Sequence, residues 1–494
     1  MIAAVLLVGA AAPAGAQAAG QPEEVPQSDN ERPFRLFLKQ LYSGRFAEAD
    51  ATAKRLADPG HKEGRAMLQA MRGAAQLGLK RDKQAAKHFA EAQRLAPMDP
   101  HPTALQFDAA MMAGNMAVAA DALDRLIARF PDVARRADWY FVRRFLQQEP
   151  AGQQQRNDDR KVALARLGFG GPVRGDFFAE QAIGILIDRG DIAGARELLP
   201  NIDEPRAIQN LLAQKRFSAL WPDIEKLAGP QLAIVRGSSV ASAERAVAEN
   251  PGDLEALQTL VSALHDAGRL ADAIEYRSKI PSSDAALAVA DEQMGWLVNN
   301  VAFALHASGR VDEADQLFAR LNKAAIGSTW IVNMTINRLG RLAADGQFEK
   351  ARALLGLTES SALTGGTPYA QQVVRQLQFC TLSRLGRTDE AARILPALRR
   401  HADDAAAQTI AGLLCAGQLD QAEAVALEAL KKPKFHPDFV RNLQAVALSN
   451  DQPPVWADQW QRLRARPAIA AEFDRLGRDL PEQLRVPKPA ALSR

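Results

Sequence analysis

A chain of 494 residues exceeds the usual domain size of roughly 100 to 200 residues, so it predicts either two to four domains or one long repeat array. With 61 Lys and Arg against 58 Asp and Glu the formal net charge is only +3, which argues against nucleic acid as a partner, because such binding needs clustered cations. A hydrophobic content of 47% with 6% aromatics excludes a disordered chain and predicts helix nearly throughout.

Residues 1–16 read MIAAVLLVGAAAPAGA, a short apolar run broken by Pro13 and followed by the small-x-small pattern Ala14-Gly15-Ala16. This predicts a signal peptide, cleaved between Ala16 and Gln17, and a periplasmic or secreted mature protein; the basic leading region of such signals is missing, and an uncleaved Ala-rich N-terminus is the alternative. Beyond it, no apolar stretch approaches the ~20 residues needed to span a bilayer.

From there one signature recurs: a turn residue, usually Gly, with an apolar or small residue two positions later and Ala five positions later. It appears at Gly44, Lys80, Gly114, Gly190, Gly268, Gly309, Gly346, Gly386 and Gly417, at separations of 36, 34, 76, 78, 41, 37, 40 and 31 residues. The two long separations are near double the others, so the period is about 37, in the range of helical hairpins. Glycine ends the first helix in the left-handed conformation, acidic residues then enter the first turn of the second helix, and the Ala lets two backbones approach. Downstream, Ala85, Phe89 and Ala92, or Ala119, Leu123 and Leu126, return at helical spacing on one face.

At these residues the chain resembles the tetratricopeptide repeat family, in the manner of an exported bacterial-type member. Residues 73–97 carry Gly73, Ala85, Phe89, Ala92 and the closing Pro97; residues 296–321 carry Val298, Val301, Ala302, Leu305, Ala314, Phe318 and Leu321 in family positions. The likeness extends over most of 34–430 and departs at Val261, where the family prefers Gly or Ala, and at Pro281, which cuts a second helix short. It implies an all-α tandem helical-hairpin solenoid. We expect a signal (1–16), a linker (17–33), a first array (34–146), degenerate repeats forming an irregular elbow (147–235), a second array (236–432) and capping helices with a tail (433–494). Within the elbow, the polar run 147–159 reads as a linker, GFGGPVRG at 168–175 as a glycine-rich loop and Trp221-Pro222 as the end of a segment. In the tail, helices are expected around 456–464 and 469–476.

Reactive chemistry is sparse. GFGGPVRG lacks the Lys-Ser or Lys-Thr ending of a phosphate loop, and the seven histidines never pair at metal-ligand spacing with each other or with the cysteines. Cys380 falls six residues before Gly386 and Cys415 two before Gly417, about one helical turn out of step. A bridge between these neighbouring repeats is conceivable, but the register predicts two separate buried thiols. The segment 135–145, RRADWYFVRRF, reads as an ordinary helix with an apolar face flanked by arginines. No catalytic set, cofactor or metal site is expected, and the chain reads as a non-enzymatic scaffold.

The family's geometry places first helices on the concave surface. Carried over residue by residue, this nominates Glu255, Gln258, Ser262 and His265, then Trp296, Asn299, Asn300, Phe303 and His306 as partner-binding candidates. His265 and His306 each precede a turn glycine by three residues, where a helix C-terminus favours a cation. Trp296 and Phe303 are either groove anchors or packing residues. The expected partner is a peptide or helix segment of another protein, the alternative being a glycan or the machinery of polysaccharide synthesis or export.

Overall fold

The computed structural model describes residues 31–56, 58–147, 153–328, 330–444, 450–451 and 453–485, apart from the side chains of 31, 32, 172–175, 364 and 365. The expected signal and its cleavage point lie outside the described residues. Among those described the chain is an all-α solenoid of helical hairpins, and none of its helices is long and apolar enough to cross a membrane.

Two compact units divide between Asn201 and Ile202. The first pairs α1 (Glu31–Tyr42) with α2 (Phe46–Arg55), α3 (Lys62–Gly78) with α4 (Asp82–Leu95) and α5 (His101–Ala113) with α6 (Met116–Arg129). It continues through α7 (Pro131–Ala134), α8 (Trp139–Gln147) and α9 (Gln154–Arg166) to α10 (Gly171–Asp188) and α11 (Ile192–Leu198). Residues 154–159, read from composition as linker, are the first half of α9, because Asn157 and Arg160 are buried and Arg160 forms a fork with Asp124 of α6 at 2.6 and 2.8 Å. The glycine-rich loop is likewise shorter than expected, since Pro172 suits the first turn of a helix and α10 already begins at Gly171. In α8, Phe141, Val142, Phe145 and Leu146 form the buried face, and Arg143 lies between the rings of Trp139 and Phe177 at 4.9 and 4.8 Å.

The nine signature turns share one geometry. Their eight glycines have φ between 69° and 86°, and Lys80 takes φ 60° without being glycine. In each, the amide after the turn residue donates to the carbonyl five residues earlier, from Arg45 to Gln40 at 2.8 Å through to Gln418 to Leu413 at 2.8 Å, which satisfies a helix-end carbonyl. Five of the glycines, Gly44, Gly114, Gly190, Gly386 and Gly417, have open space where a Cβ would stand, so conformation and not crowding selects glycine there. The alanines five residues on, from Ala49 to Ala422, are all buried. At Gly73 crowding does decide: a Cβ would meet the Phe89 ring at 3.0 Å.

The second unit opens with two short helices, α12 (Pro205–Ala213) and α13 (Trp221–Ala228), and the longer α14 (Ala233–Glu249). Trp221-Pro222 starts α13 instead of ending a segment, because proline costs nothing where the helix has no amide partner anyway. Hairpins follow: α15 (Leu254–Asp266) with α16 (Leu270–Glu275), then α17 (Asp284–Ala288), α18 (Glu292–Ala307) with α19 (Val311–Ala324), and α20 (Ile331–Ala344) with α21 (Phe348–Gly365). The last are α22 (Pro368–Arg384) with α23 (Thr388–Arg400) and α24 (Ala406–Cys415) with α25 (Leu419–Leu430). First helices stack in series, α15 on α18, α18 on α20, α20 on α22 and α22 on α24. The expected tail helices are α27 (Ala457–Arg464) and α28 (Pro467–Leu476), preceded by α26 (His436–Asn442), which sequence did not suggest. They return to the unit's beginning: the Arg478 amide donates to Ala213 O at 2.8 Å, and its guanidinium sits 3.5 Å over the Trp221 ring and 2.8 Å from Glu225.

Cys380 and Cys415 form a disulfide, with Cα atoms 5.4 Å apart, in place of the two separate thiols expected. The expectation failed because it aligned α22 and α24 on their turn glycines. Gln372 Nε2 reaches Thr409 Oγ1 at 2.7 Å and Gln408 Nε2 reaches the Tyr369 hydroxyl at 3.3 Å, at sequence separations of 37 and 39. The spatial period across this pair is thus the ordinary one, and the short 31-residue spacing arises because α24 stops about one turn early. Both cysteines are fully buried, and the bridge closes a loop of 35 residues. Reduction should therefore lower unfolding stability by roughly 3–4 kcal/mol. Urea midpoints with and without reductant check this, together with thiol counting in the unreduced, denatured chain; an unchanged midpoint or two titratable thiols would contradict it.

Candidate functional site

The nominated residues lie on α15 and α18, whose starts are fixed by side-chain caps: Asp253 accepts from the Glu255 and Ala256 amides at 2.8 and 3.3 Å, and Asp291 accepts from Met294 at 3.0 Å. Such caps favour helix at these points because they satisfy amides that the helix cannot. Glu255, Gln258 and Ser262 on α15, and Trp296, Asn300 and Phe303 on α18, are half-buried; His265, Asn299 and His306 are buried.

The amides of this face are spent on each other. Asn300 Nδ2 donates to Gln258 O at 2.9 Å, Asn299 Nδ2 to Asn300 Oδ1 at 3.1 Å, and Asn337 Nδ2 of α20 to Asn299 Oδ1 at 2.8 Å, while Gln258 Nε2 donates to Gln293 Oε1 at 2.5 Å. This ladder ties α15, α18 and α20 together and satisfies the buried polar groups. The Trp296 indole donates to Glu292 Oε1 at 3.3 Å, and burial pushes the Glu292 carboxyl above its usual range. Phe303 meets Phe318 edge-on at 6.1 Å and carries the Arg341 guanidinium 4.3 Å from its ring centre.

The two histidines are not partners of each other. His306 Nε2 lies 2.8 Å from Asp345, and His265 contacts Asp266 at 3.4 Å and Asp451 at 3.6 Å. Asp451 also accepts from Arg341 Nη2 at 2.7 Å, with both side chains buried. Burial opposes ionisation of Asp451, yet Arg341 and His265 beside it hold its carboxyl well below the usual carboxylate range. For His265, burial lowers the basicity and the Asp266 and Asp451 carboxylates more than offset it, so the imidazole is raised above its ordinary value. Among the described residues no three His, Cys, Asp or Glu side chains converge as metal ligands.

Sequence reasoning stopped one helix short of this arrangement. Asn337 and Arg341 stand 38 residues after Asn299 and Phe303, and Asp345 stands 39 after His306, so carrying the groove positions over one more period would have named all three. Asp451 gave no local signal, being 110 residues from Arg341 and outside the repeat pattern.

In the first unit, the Tyr42 hydroxyl donates to Asp108 Oδ2 at 2.6 Å and the Tyr42 ring stacks on Phe141 at 6.3 Å. Burial pushes the Asp108 carboxyl up to about 6, offset in part by that hydrogen bond. These groups pin α1 to α5 and α8.

Opposite pH dependences follow from the His265–Asp451–Arg341 cluster. The depressed Asp451 contributes stability above its unfolded pKa of ~3.9, and this is lost as pH falls through the lower folded value. The raised His265 contributes stability below its unfolded pKa of ~6.5, and this is lost as pH rises through the higher folded value. In urea titrations the stability difference between wild type and His265→Gln should be larger at about pH 6 than at about pH 8.5. A difference that is constant or grows with pH would contradict the assignment.

No family model and no curated protein matches the chain. Among solved structures, the crystal structure of the P58(IPK) TPR domain aligns with 88% of this chain and 98% of its own at 12% identity, with a TM-score of 0.19. The hairpin assignment therefore rests on the turns, periods and packing described above.

Proposed function

We propose that the chain is an exported, non-enzymatic scaffold whose second unit holds a segment of a partner protein on the first-helix face of α15, α18 and α20. The observation that carries this reading is a face on which Gln258, Ser262, Trp296 and Phe303 stay half-buried over a ladder of satisfied amides, giving aromatic anchors on a rigid support. The Cys380–Cys415 disulfide supports the export half of the reading, because disulfides persist in oxidising compartments, and so does the apolar leader at 1–16. A second reading, an accessory role in polysaccharide synthesis or export, draws support from the half-buried Trp296, whose ring face is the kind of surface on which a sugar stacks.

Photo-crosslinking separates the two. A benzophenone amino acid at Ser262, in the groove, is compared in native envelope preparations with one at Asp312, exposed on α19. The scaffold reading expects adducts at position 262 that digest to a discrete peptide of another protein, with position 312 silent. Carbohydrate adducts at 262 would favour the second reading, and equal labelling at both positions would contradict a groove function.

A further inference from the structure

Residues 450, 451 and 453–456, between α26 and α27, lie against the ends of α15 and α20. Asn450 Nδ2 donates to the His265 and Asp266 carbonyls at 2.8 and 3.0 Å, at the end of α15. The Asp451 carboxylate meets Arg341 and His265, and the Val455 amide donates to Ala344 O at 2.8 Å, at the end of α20. Trp456 is buried in the apolar cluster that Leu342, Ala343 and Ala344 share with Val373 and Leu377 of α22. Gly268 and Gly346, unlike Gly44, Gly114, Gly190, Gly386 and Gly417, have these residues against them: a Cβ there would lie 3.6 Å from Asn450 and 3.5 Å from Val455.

This strap is short and bent: its backbone bends at Asn450 and Asp451 and turns at Val455 and Trp456, with Pro453 and Pro454 before the turn. Apart from Val455 and Trp456, which pack on apolar neighbours, the contacts are polar: an amide side chain and a backbone N–H donate to carbonyls at the ends of α15 and α20, and one carboxylate takes up a buried arginine.

We infer that residues 450, 451 and 453–456 are an internal occupant of this groove, and that the partner is a protein segment of the same chemistry: one carboxylate for Arg341 and His265, then prolines, then a bulky apolar residue. This rests on the groove reading above and adds to it the partner's chemistry and a means of regulation. With the strap in place the His265–Arg341 end of the groove is filled, and the partner binds there by displacing it.

The test uses the full chain and a fluorescein-labelled peptide of sequence NDQPPVW, followed by anisotropy. Wild type is expected to bind it weakly, because its own strap competes at high effective concentration. Asp451→Asn should loosen the strap and tighten binding of the peptide by about tenfold or more, and adding Arg341→Gln should abolish the gain. Because Asp451→Asn leaves a buried arginine without that counter-charge, Asn450→Ala is measured alongside; it removes two hydrogen bonds and should act in the same direction. Circular dichroism confirms the fold of each. Folded variants that bind the peptide no better than wild type overturn the strap inference, and if Ser262 still crosslinks a partner peptide the groove reading survives that result. Conversely, peptide binding by the variants without any partner crosslinked at Ser262 upholds the internal occupant and removes the groove reading of the intact protein.

Discussion

The structure depends on one local arrangement, a left-handed turn residue that closes a first helix and a buried alanine five residues later that draws the second helix against it. The turn takes up carbonyls that would otherwise lack partners, and the alanine allows a helix contact that a larger side chain would push apart. Neither is strong alone, since a cap contributes about 1 kcal/mol. Repeated nine times, the pair sets the angle and spacing of every hairpin that carries it, and the apolar faces of neighbouring hairpins then bury one another. Lys80 shows the arrangement outranking its preferred residue: it adopts the strained φ and its ammonium reaches Ala113 O near the next turn.

Stacking first helices in series brings their polar residues into rows. In the second unit the row is Gln258, Asn300, Asn299 and Asn337, and it ends at Phe303, Arg341 and the carboxylates around the two histidines. Burying Arg341 and Asp451 together is costly in desolvation, so the pair adds specificity more than stability: it fixes where the C-terminal segment lies. Asn450 and Asp451 are held by polar contacts, and Val455 and Trp456 pack on the apolar cluster of α20 and α22.

What could be read from sequence was whatever the repeat encodes locally. The turn glycines, the buried alanines, the short second helix before Pro281 and the tail helices near Trp456 and Ile469 were all legible, because each is a property of a few neighbouring residues. Features set by how repeats meet were not. The Cys380–Cys415 bridge was missed because the early end of α24 disguised an ordinary spatial period, and the extent of α9 was missed because its polar composition hides the buried Asn157 and Arg160. Of the polar row on α15, α18 and α20, sequence named the residues of α15 and α18. It supplied neither the amide ladder's internal pairing nor Asp451, whose contact joins positions 110 residues apart.

The central claim is that the hairpins form a stable support and the segment around Asn450 a separable occupant of it. Native-state hydrogen exchange of the Val455 amide, followed as a function of low urea concentration, addresses this directly. If the strap opens by itself, the Val455 amide exchanges with an opening free energy well below that of core amides such as Leu305 or Leu339 and with almost no urea dependence. If Val455 instead exchanges with the same free energy and the same urea slope as those core amides, the segment is part of the folded support and the account is wrong.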